Sequence, residues 1–287
     1  MIGQAVLQKQ ISQQIEDDKF PRFSIFVGDK GSGRKTLIHR IWNEKLVNYG
    51  TGIYTTEDGK IENVRRMIEA AYKMHNTLFC IFDADTMSVA ARNALLKVVE
   101  ECPGNNYFVM TLEDENNTLE TIRSRATIYH MDRYTPAQIL KYFDSKYDNK
   151  DRAYRKIIET VCDTPGDVDI LQLSSEEDPA NKFYSYVELV VDNIAQVNGA
   201  NSFKIADKVG LKDEEDKYNL KLFWKMFCKV CIDKAIECFD AGEIDAATQY
   251  SKGAQITSHR MKGLRVKGIN KPMLFDIWLL DIRKEWM

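Results

Sequence analysis

Long hydrophobic runs are missing from this chain. No stretch of its 287 residues approaches the ~20 apolar residues of a membrane span, and the N-terminus carries no secretory signal pattern. A cytoplasmic location, with no membrane partner, is the expectation. Strong charge of one sign is missing too. A net charge of −3 argues against a protein that coats nucleic acid, so any DNA contact has to be local. Six cysteines are too few for a disulfide framework in a chain this long. Cys228 and Cys231 form a C-x-x-C, but no second pair or nearby His completes a zinc site. They sit in an apolar helical pattern, Leu222 to Ile232, that predicts packing. Internal repeats and low-complexity tracts are absent. With six Pro, 44% hydrophobic and 29% charged residues, the composition is that of a globular protein of two or three domains.

What the chain does have is concentrated between Leu78 and Arg125. An apolar run, Leu78-Phe-Cys-Ile-Phe82, stops at Asp83-Ala-Asp85. A helical stretch containing Asn93-Ala-Leu-Leu-Lys-Val-Val-Glu-Glu101 leads to Cys102-Pro103. A second apolar run, Tyr107-Phe-Val-Met110, and then Thr121-Ile-Arg-Ser-Arg125 follow. Five apolar residues stopped by acid suit a buried central strand, so the pattern predicts two parallel strands joined by a crossover helix. Carboxylates at such a strand's C-terminal end lie where open α/β sheets bind ligands.

Upstream, Met1 to Asp18 reads as a helix with Ala5, Leu7 (or Val6), Ile11 and Ile15 on its apolar face. Phe23 to Val27 is a short strand, running into Gly28-Asp-Lys-Gly-Ser-Gly33 and a helix from Arg34 to about Leu46. Residues 48–60 read as turn-rich and Ile61 to His75 as helical. Thr127 to His130 adds a strand, so that an α/β domain spans 1–133. Thr135-Pro136 is a helix-start signal. Two or three short helices reach about Leu173, broken at Thr164-Pro-Gly166, and a linker at Ser174 to Pro179 closes this second domain (134–178). Helices over 183–197, 202–209, 218–241, 243–257 and 273–286 then predict an all-α domain at 179–287.

Gly28, Gly31 and Gly33 ahead of a helix let backbone N–H groups converge on phosphate. A full phosphate loop adds a Lys for the phosphates and a Ser/Thr for Mg²⁺. Here those positions hold Arg34 and Lys35, with Thr36 one step late. Arg is a planar fork, not a routine substitute for a point charge, and Lys cannot ligate Mg²⁺. The acidic element is altered as well. With Asp83 as the metal-organising acid, Ala84 stands where a catalytic Glu is needed. With Asp83 at the Glu position, Phe82 replaces the metal Asp. Both registers stay open, and each lacks half of the acidic pair.

Asn93 to Glu101, ahead of Cys102-Pro103, closely resembles the N-A-L-L-K-x-x-E-E-P-P stretch of bacterial clamp-loader subunits. Thr121-Ile-Arg-Ser-Arg-Ala126 resembles their S-R-C motif, with Ala126 in place of Cys. Ile2-Gly3-Gln4 resembles the opening I-G-Q, and Lys60 to Ala71 the helix ahead of the second acidic strand. Asp83-Ala-Asp85-Thr-Met-Ser88 is most similar to the D-A-D-x-M-T of delta-prime subunits of DNA polymerase III. Gly28…Arg34-Lys-Thr36 resembles the G-K-K-T form found there and in some replication factor C subunits. The match covers about residues 1–130. It thins to Pro165-Gly166-Asp167 beyond, and is compositional in the last third.

The resemblance implies an α/β then all-α architecture: an AAA+ P-loop parallel-sheet domain, a helical lid (134–178) and a helical collar (179–287) joining five subunits. The partners it implies are the other subunits of a hetero-pentamer, a sliding clamp and primer–template DNA. In that family the S-R-C arginine reaches the γ-phosphate of ATP held by a neighbour, which makes Arg125 an arginine finger acting in trans, with Arg123 flanking it. The lid arginine of active subunits is replaced by Asp169, which repels phosphate, and the four-Cys zinc module of some relatives is absent. Three departures, at Arg34/Lys35, Phe82–Ala84 and Asp169, degrade hydrolysis, while the Arg that acts on a neighbour is kept. The expectation is a non-hydrolysing clamp-loader subunit that requires no cofactor and no zinc, with ATP or ADP in its degenerate loop as an option. The alternative is an active ATPase subunit using Lys35, Thr36, Asp83 and Asp85. A replication initiator or helicase loader is more distant, since no DNA-reading helical motif is present. Outside the family match, Lys252 to Phe275 carries six Lys/Arg and no acid. Lys252, Arg260, Lys262 and Arg265, with Ser88 and Arg92, are DNA-proximal candidates; a solvated collar face is the plainer reading of that run.

Overall fold

Alternation along a strand sends successive side chains to opposite faces of the sheet, and in this protein both faces are covered. The computed structural model describes residues 2–43, 52–56, 59–147, 151–172, 179–196, 202, 204–205, 220–265 and 269–286. They form two compact units, Met1–Tyr134 and Thr135–Met287. Among the described residues, no helix is long and apolar enough to cross a membrane.

The first unit runs α1 (Ala5–Glu16), β1 (Phe23–Val27), α2 (Arg34–Ile41), β2 (Gly52–Thr56), α3 (Ile61–Ala71), β3 (Thr77–Ile81), α4 (Val89–Glu101), β4 (Tyr107–Leu112), α5 (Glu120–Arg123) and β5 (Thr127–His130). Its five strands are parallel in the order β2-β3-β4-β1-β5. β1, β3 and β4 are buried throughout, as near-continuous apolar runs require. On one face Ile25, Phe79, Ile81, Phe108 and Met110 pack under α3 and α4 through Val64, Met67, Leu95 and Val98. On the other, Phe26, Leu78, Cys80, Phe82 and Val109 pack under α1 and α2 through Leu7, Ile11, Leu37 and Ile38. Val6 and Ala5 stay exposed, which settles the apolar face of α1 on Leu7.

The crossover helix α4 stops where its sequence says it should. Cys102 takes a left-handed conformation (φ 40°) and Pro103 cannot continue the helix. Asn106 then ties the turn down: its side chain donates to Ala71 O (2.9 Å) and Met74 O (3.0 Å) and accepts from Thr77 N (2.9 Å). The turn-rich reading of 48–60 is corrected. Gly52 to Thr56 is strand β2, pairing along its length with β3. It is an edge strand of five residues between turn formers, so composition hid what pairing supplies. The expected end of α2 near Leu46 falls outside the described residues.

The second unit is helical: α6 (Pro136–Lys146), α7 (Arg152–Val161), α8 (Pro165–Gln172), α9 (Pro179–Asp192), α10 (Leu220–Asp240), α11 (Ile244–Met261) and α12 (Lys271–Trp286). Thr135 and Gln138 form a full capping box ahead of α6, with proline at the first position. Thr164 opens α8 in the same way: its Oγ1 accepts from Asp167 N (3.1 Å), and Asp167 accepts from Thr164 N (3.1 Å). α10 is the spine. Lys221 pairs with Asp163 (3.4 Å) and Asp167 (3.3 Å), so the helices assigned to a lid and those assigned to a collar share one unit. Most of the expected 174–179 linker and of the 202–209 helix lies outside the described residues.

Candidate functional site

The glycine loop leaves β1 between its two neighbouring strands. Gly28 N donates to Leu112 O (3.0 Å), and a Cβ at Gly28 would meet Met131 Cβ at 2.7 Å. Gly31 (φ 82°) and Gly33 (φ 88°) are left-handed, a conformation that costs a glycine nothing. Tyr134 Oη donates to Ser32 O (2.7 Å) and steadies the loop from outside. The backbone of a phosphate site is therefore present at the N-terminus of α2. The side chains that follow it are committed within the chain. Arg34 is buried (4% exposed), and its Nη2 donates to Asp83 Oδ1 at 3.2 Å. Lys35 Nζ lies 3.1 Å from Asp83 Oδ2, while Thr36 points to solvent as an exposed residue. Arg34 and Lys35, the first two residues of α2, thus close on one carboxylate of the same chain. Ser32 Oγ and Arg34 Nη1 are buried with no partner among the described residues. These two donors suit an anion, while the neighbouring Lys35 is committed to Asp83 and Thr36 is exposed.

Asp83 sits just past β3 in a left-handed conformation (φ 51°), its N donating to Thr111 Oγ1 (2.8 Å) on β4. Asp85 does something else. It accepts from Glu113 N (2.9 Å) and Asn117 Nδ2 (3.0 Å) and so fastens the loop after β4. Arg92 is corrected as a DNA-proximal residue. It is 5% exposed, its Nη2 donates to Asp85 O (3.0 Å), and burial lowers its pKa against the opposing pull of Asp85. Ser88 is exposed, and its hydroxyl caps α4 by accepting from Ala91 N (3.2 Å). Glu113 escaped the sequence reading. Although the residue is exposed overall, desolvation of its carboxyl raises its pKa, with Asp85 and Asp83 adding to the shift and Arg34 and Lys30 opposing it. Only the end of a buried strand beside the glycine loop could have pointed to it.

Arg125 is exposed two residues past the short helix α5, which is anchored by fully buried Ile122. Its Nε pairs with Glu100 at the end of α4, and its Nη1 donates to Thr121 O (2.7 Å). Arg123 is turned elsewhere, its Nη1 donating to Asn116 Oδ1 (3.1 Å).

In the second unit, Asp169 is not a bare repulsive charge. It accepts from Tyr142 Oη (2.8 Å), Tyr147 Oη (2.9 Å) and Lys146 Nζ (2.8 Å). Those donors spend its carboxylate on joining α6 to α8. The basic run, acid-free in sequence, meets acids in space: Lys252 pairs with Glu285 (3.2 Å) and Arg260 with Asp281 (2.8 Å through Nε). Lys262 is exposed, and the side chain of Arg265 lies outside the described residues. Cys228 Sγ donates to Ala254 O (3.5 Å), and burial pushes its thiol up to about 12. Among the described residues, no group of three metal-ligating side chains assembles.

Known proteins match this arrangement in part. Residues 52–135 match the family described as "DNA polymerase III, delta subunit". Replication factor C subunit 4 of Saccharomyces cerevisiae is 27% identical over 155 residues (48% of this chain and 48% of that protein). DNA polymerase III subunit gamma/tau of Mycoplasma genitalium is 22% identical over 246 residues (76% of this chain and 38% of that protein). The matches thus span about half or less of these relatives. A solved structure of a Thermotoga maritima RuvB variant superposes over 87% of this chain and 85% of its own, with a TM-score of 0.50 at 16% identity, a likeness of fold.

Proposed function

We propose a role for a chain that is, by its motifs and relatives, a clamp-loader-like AAA+ protein: it is a non-hydrolysing subunit of a DNA polymerase sliding-clamp loader. In this role Arg125 acts in trans, neutralising charge on the γ-phosphoryl group of ATP held by a neighbouring subunit. The observation that carries the reading is the double ion pair of Arg34 and Lys35 with Asp83. The cations that would hold phosphates and the acid that would organise Mg²⁺ neutralise one another within this chain, while Arg125 stands exposed on a separate turn. Against an active subunit built on Lys35, Thr36, Asp83 and Asp85 stand the exposure of Thr36 and the commitment of Asp85 to the loop after β4.

The isolated chain is expected to show negligible ATP turnover. A rate near ~1 s⁻¹ from purified protein, at the low end of typical enzymes, sinks the non-hydrolysing role. Zinc is not part of the proposed molecule, because Cys228 and Cys231 pack as small hydrophobes on α10. Stoichiometric zinc in elemental analysis of tag-free protein overturns that. The proposed partners are the other loader subunits in a hetero-pentamer, the clamp and primer–template DNA, with exposed Ser88 and Lys262 available to the DNA. Co-purification with the tagged chain tests the assembly.

A further inference from the structure

The pairing of Arg125 with Glu100 joins the last turn of α4 to the residue proposed to act on a neighbour, and nothing in the role of α4 as a crossover helix requires it. The guanidinium is held along part of its edge and open elsewhere. Nε is on Glu100, Nη1 is on Thr121 O and reaches Ser124 Oγ at 3.4 Å, and Nη2 has no partner among the described residues. The backbone beneath it is fixed as well. Arg125 N donates to Ile122 O (3.2 Å), and Ile122 is wholly buried under the sheet's α4 face. Glu100 itself sits on a tethered turn, because the next residue, Glu101, accepts from Tyr72 Oη (2.6 Å) at the end of α3 and pairs with Lys97 (3.7 Å).

We propose that Glu100 is a positioning residue for Arg125, holding the guanidinium so that Nη2 faces outward toward the phosphate of ATP on an adjacent subunit. This rests on the trans role proposed for Arg125 and names the group that orients it. A long arginine side chain free in water samples many rotamers, and immobilising it at an interface carries an entropic cost. An acceptor on Nε and another on Nη1 fix the plane of the fork before the neighbour arrives. The pair is half-exposed, with side chains 38% and 45% accessible, so by itself it does little for the stability of this chain. Its effect is on direction. Glutamine keeps an acceptor oxygen at the same reach and loses only the charge, whereas alanine loses both.

The test is DNA-stimulated ATP turnover by the reconstituted loader carrying Glu100→Ala, Glu100→Gln or Arg125→Ala in this chain. Glu100→Ala is expected to lower kcat about fivefold or more with KM for ATP unchanged, since the contact matters in the transition state. Glu100→Gln should restore most of that rate. Melting of the isolated variants should match the parent, as it must if the contact is not a structural one. Wild-type turnover with Glu100→Ala, in a complex where Arg125→Ala is slow, overturns the positioning role and leaves the trans role of Arg125 standing. Faster turnover with Glu100→Ala overturns it too, because Glu100 would then be restraining the arginine. Wild-type turnover with Arg125→Ala removes the role on which both rest.

Discussion

Replacing Arg125 with alanine should slow ATP hydrolysis by the assembled complex at least ~10-fold if it acts in trans as proposed, from a subunit that itself hydrolyses nothing in that role. The best-studied arginine fingers contribute ~10³–10⁵ in rate. A smaller loss is expected here. The physical cause is electrostatic: a fixed guanidinium in a dry interface meets charge that grows as the phosphoryl group transfers. The variant should fold and assemble, since Arg125 is exposed and its ion pair is half-open to water. Arg125→Lys should fail nearly as badly, because an ammonium cannot reproduce the planar fork that meets Glu100, Thr121 O and a phosphate along its edges. The control is Arg133→Ala, another exposed arginine of the same unit. Equal, parent-like rates for Arg125→Ala and Arg133→Ala in DNA-stimulated ATPase would make Arg125 an ordinary surface arginine.

The largest effect on stability is expected at Trp278, at the centre of the second unit's aromatic cluster. Its ring centroid lies 5.0 Å from Phe227, 5.3 Å from Phe275 and 5.8 Å from both Phe223 and Trp224. Its Nε1 donates to Thr257 Oγ1 at 2.8 Å, so α12 is joined to α11 by a buried hydrogen bond as well as by packing. Trp278→Ala removes an indole that is fully buried and leaves a cavity among four rings, a change worth ~3–5 kcal/mol. Trp278→Phe keeps most of the packing and forfeits the donor, so its loss should be smaller. Urea unfolding of the two variants reads the difference. A loss below ~1 kcal/mol for Trp278→Ala would mean that this cluster is not what holds the unit.

Much of the site was legible because its signals are local. The glycine loop lies between a buried strand and a helix start, and the acids follow an apolar run. The serine–arginine turn follows a second such run. What was not legible was the use each charge is put to. Asp169 stood out as a charge that repels phosphate, and instead takes three donors from the end of α6. Arg92, a DNA-proximal candidate in the sequence, is buried with its guanidinium on a carbonyl. The run from Lys252 seemed free of acid only because Asp281 and Glu285 lie one helix further on. β2 was lost among turn residues because an edge strand is specified by its partner more than by its own composition.

The amino-acid sequence by itself determined the parallel sheet, the crossover helix with its stop at Cys102-Pro103, the start of α6 at Thr135-Pro136, and the candidate loop and arginine. Each is encoded within one element by periodicity, a cap or a required glycine, so short-range physics suffices. Only the tertiary structure decided that Arg34 and Lys35 close on Asp83 and that Arg125 leans on Glu100. Arg34 and Asp83 are 49 residues apart in sequence, and Arg125 and Glu100 are 25 apart. An ion pair depends on distance and exposure, and no local pattern carries either until the sheet has brought the ends of its strands together.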